Sequence, residues 1–69
     1  MQVTSKMKKE LRPFADDNPQ FTHVVVYVDP SGVQPWKFDG YKNYCAAQAE
    51  TADFAIDGVD CVMVNLVTL

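Results

Sequence analysis

His23 is the lone histidine of this chain, Cys45 and Cys61 are its two cysteines, and Asp16-Asp17 is its one adjacent pair of carboxylates. Nucleophilic catalysis needs a nucleophile beside a base, with a third group orienting the base. His23 instead opens a β-branched run, where a histidine reads as an ordinary, satisfied side chain. It has no second histidine with which to share a metal, and the cysteine spacing suits neither a CxxC redox pair nor a zinc site. The cysteines read as two buried, reduced thiols, since a free cysteine packs as a small hydrophobe; the alternative is one structural disulfide between them. Asp16-Asp17 lies next to Pro19 and reads as a solvated turn without the pattern of a calcium loop. The three glycines are scattered, so no loop is built to cradle a phosphate. These residues predict no catalytic group, no metal and no cofactor, and hence a protein that is not an enzyme.

Residue types that serve binding are more concentrated. Trp36, Phe38, Tyr41 and Tyr44 put four of the eight aromatic residues within nine positions. They suit either core packing or the anchoring of an interface, where Trp and Tyr are enriched. Glu50, Asp53 and Asp57 recur at i, i+3 and i+7, with Asp60 close behind. This places acids toward the negative end of a helix dipole, where they are mildly unfavourable. A locally poor choice of this kind points to use, such as docking on a basic surface; the alternative is a solvated face.

The elements that position these groups follow from periodicity. Val3, Met7, Leu11 and Phe14 recur at helical steps, with lysines on the other faces. Residues 1–13 therefore read as a short basic amphipathic helix, capped by Thr4 or Ser5 and ended by Pro13 near Leu11 or Arg12. Residues 21–38 read as a β-hairpin. Its first strand is rich in valine and apolar on both faces, hence central. Asp29-Pro30-Ser31-Gly32 forms the turn, and a second strand from Val33 to Phe38 is placed at an edge by Pro35. Residues 40–56 read as a helix capped by Asp39, with Tyr41, Cys45, Ala49, Ala52 and Ile56 as the stripe on the sheet. Gly58 suits the helix exit. Residues 59–69 form a last strand, with Val62, Val64 and Leu66 on one face and Cys61, Met63 and Val67 on the other. The expected class is α+β: a three-stranded antiparallel sheet of order 2-1-3, one long helix packed on it, and the short N-terminal helix, all in one domain spanning residues 1–69.

The chain has 69 residues and a net charge of −3. Four cations against one acid leave residues 1–12 at +3; two lysines against eight acids leave residues 13–69 at −6. An acidic body repels nucleic acid and attracts basic protein surfaces. No apolar run approaches the roughly 18 residues of a membrane span, and no apolar stretch follows the N-terminal lysines as in a secretory signal. The expected location is the cytoplasm. The last strand is apolar on both faces yet sits at a sheet edge, which makes Met63, Asn65 and Val67 a candidate oligomer interface.

In size, acidity and hairpin–helix–strand order, residues 21–69 resemble small phage-encoded inhibitors of host enzymes. The resemblance implies a protein that acts by occupying a partner's surface; it carries over no residue roles. The expected function is thus a small acidic protein-binding module with a protein partner that presents a basic surface. Trp36, Phe38, Tyr41, Tyr44, Glu50, Asp53, Asp57 and Asp60 are its candidate contacts. One alternative is a homodimer or larger assembly paired through the last strand. A third is a nucleic-acid accessory using the basic helix, which the acidic body opposes.

Overall fold

A computed structural model describes residues 1–29 and 35–69. The turn expected through Pro30, Ser31 and Gly32, and the first residues of the expected second strand, lie outside the described residues. Helix α1 spans Ser5–Asp17. Thr4 caps it from extended backbone, its hydroxyl accepting the Met7 N–H at 3.2 Å. Pro13 does not end this helix but lies inside it. A proline there removes one helical hydrogen bond and costs about 3 kcal/mol. The offset comes from packing one residue further on. The Phe14 ring meets Phe38 edge-on at 4.9 Å and stacks on Phe21 at 5.8 Å, and only a continued helix delivers it there. Asn18 closes the helix, its backbone and side-chain N–H groups both donating to the Phe14 carbonyl at 3.0 Å.

Strand β1 is His23–Tyr27, β2 is Lys37–Tyr41 and β3 is Cys61–Asn65. They form an antiparallel sheet of order β2-β1-β3, the expected topology and class. β1 is central as read, with Val24, Val25 and Val26 wholly buried. Burial stabilises by roughly 1.5–3 kcal/mol for each such side chain. The second strand starts later than expected and runs to Tyr41, because Tyr41 still pairs with His23. Pro35 consequently precedes the strand rather than lying in it.

Alternation along β1 splits the molecule into two layers. Val24 and Val26 face α1, where Met7, Leu11, Val64 and Leu66 complete the buried cluster and Met1, Val3, Phe14, Trp36, Phe38, Val62 and Leu69 pack around it. Gly40 belongs to this layer: a Cβ there would come within 2.5 Å of the Phe21 ring, so the missing side chain is what lets Phe21 lie on β2. Val25 and Tyr27 face the opposite way, toward helix α2, Tyr44–Ile56. The sheet is therefore sandwiched between the two helices.

α2 begins three residues after β2, and Asn43, not Asp39, caps it; its side-chain oxygen accepts the Ala46 N–H at 2.8 Å. Asp39 is held in the ladder opposite Val25. Gly58 follows α2 with φ +73, the left-handed conformation that favours glycine. β3 ends at Asn65, where the side chain turns back to accept the Val67 N–H at 2.9 Å. Leu66–Thr68 form one 3-10 turn instead of continuing the expected strand.

Candidate protein-docking surface

α2 lies close against all three strands but buries little of itself there. Ala47 is its one wholly buried residue, and its small side chain lets the helix approach β1 closely. Phe54 stacks on Tyr27 at 4.6 Å and Tyr44 meets His23 edge-on at 5.8 Å. The Cys61 thiol points at the Thr51 carbonyl across 3.9 Å. The inward stripe is thus Ala47, Thr51 and Phe54. At about 100° per residue this is nearly opposite the stripe formed by Cys45, Ala49, Ala52 and Ile56. The sequence reading turned that second stripe toward the sheet; all four of its residues are exposed, with Ile56 at 82%. The inversion has a physical cause. α2 carries apolar residues nearly all the way round, so periodicity cannot choose its inner face.

The expected contact residues are distributed over both layers. Trp36 and Phe38 share one face of the β2 end, their rings 6.0 Å apart, and belong half-buried to the α1 layer. Tyr41 closes β2, half-buried. Burial, helped by Glu50 and Asp39, pushes its phenol up to about 12. The Tyr27 phenol is also raised, first by burial and then by Asp39. Tyr44 opens α2 and is 56% exposed.

The four acids do not form one ridge. Glu50 is half-buried near Tyr41. Asp53 and Asp57 are exposed around the last turn of α2, which has no basic residue to offset them. Asp60 turns to the other layer, where its carboxylate accepts a hydrogen bond from the Met1 amino group at 2.9 Å. What α2 presents outward is an apolar stripe ending in Ile56, with Asp53 and Asp57 at its C-terminal end.

His23 is satisfied by its neighbour, with Nδ1 2.7 Å from the Thr22 hydroxyl oxygen. Both cysteines are free, and neither is buried as expected: Cys61 is half-buried, and Cys45 is exposed because it belongs to the outward stripe. Among the described residues, no three His, Cys, Asp or Glu side chains converge as a metal site. No described helix is long and apolar enough to cross a membrane.

A second surface was not legible in the sequence. Between α1 and β3 runs an open groove of about 460 Å³, lined by Val3, Lys8, Arg12, Met63, Asn65 and Leu69, among others. Lys8 and Arg12 lie one helical turn apart along it. Helical spacing marks them as neighbours, but only the fold sets them beside β3.

No protein-family model matches the chain, and comparison with curated proteins and with solved structures yields no match.

Proposed function

We propose that the protein is a non-enzymatic, cytoplasmic protein-binding module whose docking element is the outward face of α2. One observation carries this reading: α2 is apolar on two faces, and only one of them meets the sheet. A helix hydrophobic all round is stable when both sides are covered, and an exposed apolar strip beside polar residues marks an interaction surface. Cys45, Ala49, Ala52 and Ile56 fit a shallow apolar groove on a partner protein. Asp53 and Asp57 favour basic residues at the end of that groove nearest Ile56. Such a module acts by occupying its partner's surface, as the likeness to phage-encoded inhibitors of host enzymes implies.

The test compares wild type with an Ala49→Lys/Ile56→Lys variant as baits in cell lysate. Both side chains are exposed, so stability should change by no more than about 0.5 kcal/mol for each. A protein captured by wild type should be lost from the variant and kept by a Lys6→Glu control. Equal capture by wild type and the α2 variant would remove α2 as the docking element. With the partner in hand, Asp53→Lys/Asp57→Lys should slow association at low salt more than at physiological salt, since exposed charges act over roughly 8–10 Å and mainly on the on-rate.

A second reading, a homodimer through the last strand, is favoured by a different observation: β3 is an uncharged edge strand.

A further inference from the structure

The sheet has two edges, and they are built differently. β2, Lys-Phe-Asp-Gly-Tyr, carries two charged side chains and a glycine and follows Pro35 closely. These are devices that discourage pairing with another chain. β3, Cys-Val-Met-Val-Asn, has no charge and no proline. Its inner side is spoken for. The Leu66 N–H donates to the Thr22 carbonyl at 2.8 Å, and the Val28 N–H donates to the Asp60 carbonyl at 3.0 Å. Between these two bonds lie the pairs Val24–Val64 and Val26–Val62. Antiparallel ladders alternate, so positions 60, 62, 64 and 66 bond inward to β1, and Cys61, Met63 and Asn65 aim their backbone groups outward.

We propose that this edge pairs antiparallel with the β3 edge of a second copy, about a two-fold axis at Met63, giving one continuous six-stranded sheet. This specifies the homodimer reading, and it is independent of the α2 surface. The outward set is symmetric about its middle member, as a two-fold contact requires. Met63 exchanges hydrogen bonds with Met63 of the second copy, and Cys61 exchanges them with its Asn65. Val62 falls opposite Val64, so apolar meets apolar on the α1 face. No like charges meet along the strand.

Charge complementarity selects the same occupant. In this register Asp60 of the second copy falls opposite Leu66. Asp60 has the parity of Val62 and Val64 and reaches the Met1 amino group, so it lies on the α1 side of the sheet. There it arrives beside the groove that Lys8 and Arg12 line, and both of those side chains are exposed. Asp60 keeps its own Met1 amino group and, at 60% exposed, can accept a second cation; the second copy thus brings a carboxylate to the Lys8 and Arg12 side chains of the first, and the exchange is reciprocal. Val67, expected at such an interface, is outside the ladder in the 3-10 turn.

Sedimentation equilibrium of the whole chain at about 0.5 mM, a concentration that reveals even weak association, should show a dimer. Lys8→Glu/Arg12→Glu should weaken it roughly five- to tenfold at low salt, as expected for a few exposed ion pairs. Met63→Pro, which deletes the central outward N–H, should leave a monomer. Should that variant misfold by circular dichroism, cross-linking decides instead. Asn65→Cys, in a Cys45→Ser background, sets a thiol opposite Cys61 of the second copy, with Cα atoms about 5.5 Å apart as in any bonded antiparallel pair. That distance lies within disulfide range, so mild oxidation should give a covalent dimer linked through Cys61. A strict monomer at the higher concentration, a dimer unaffected by a folded Met63→Pro variant, or the absence of the Cys61 cross-link would each overturn the proposal.

Discussion

α1 and α2 have the same length and lie on opposite faces of one sheet, yet they hold it by different means. α1 confines its long apolar side chains to one side, seats Met7 and Leu11 against Val24, Val26 and Val64, and leaves Lys6, Lys8, Lys9 and Arg12 in water. α2 rests on Ala47, one stacked ring pair and an edge-on pair, and leaves an apolar stripe in water. An amphipathic helix has spent its hydrophobic face on the fold. A helix apolar on two sides keeps one for something else. The layer that buries the long apolar side chains and the layer proposed above to meet a partner are thus separate, and each can be altered with limited damage to the other.

Substitutions should expose that division. Leu11→Ala empties the centre of the α1 layer and should cost about 2–5 kcal/mol, read from chemical denaturation; a loss under about 1 kcal/mol would mean that α1 is not the main source of stability. Ala47→Leu should cost less, about 1–3 kcal/mol, because it wedges α2 off the sheet without hollowing the α1 core. If Ala47→Leu proved the more damaging of the two, the ranking of the layers would be reversed.

The smallest effect is a pH dependence confined to the α2 side. The Tyr41 phenol is raised to about 12 in the fold, against about 10 when unfolded. A proton held more tightly in the native state adds stability below pH 10, and that contribution drains away as pH climbs from 10 toward 12. Tyr41→Phe should flatten this alkaline loss relative to wild type in melting curves taken across that window. Tyr27, raised as well, remains in both proteins and leaves a residual slope.

How far the sequence disclosed all this tracks the same contrast. Val3, Met7, Leu11 and Phe14 marked the α1 face unambiguously because the residues between them, Pro13 apart, are polar or charged. The valine run fixed β1 as central, and Gly58 marked the exit of α2. Pro13 misled because a local penalty was outweighed by the aromatic contacts of Phe14, which no local rule sees. The start of α2 was misplaced because Asp39 and Asn43 are both good caps, and only the pairing of Tyr41 with His23 decides between them. The outward stripe was misassigned because apolar residues on two sides of α2 give periodicity two answers. Asp60 was grouped with Glu50, Asp53 and Asp57 by proximity in sequence, but the chain crosses to the other side of the sheet before reaching it.

The central strand has one more consequence. β1 is bonded to a neighbour on either flank and covered by a helix on either face, and its three middle valines have no access to water. Their amide protons have no local route to solvent: releasing one requires parting the sheet and lifting a helix together. Deuterium should therefore enter Val24, Val25 and Val26 at one common, slow rate set by opening of the whole domain. These three amides act as a built-in clock for global unfolding, against which faster exchange at the α2 surface or the β3 edge can be timed within the same molecule.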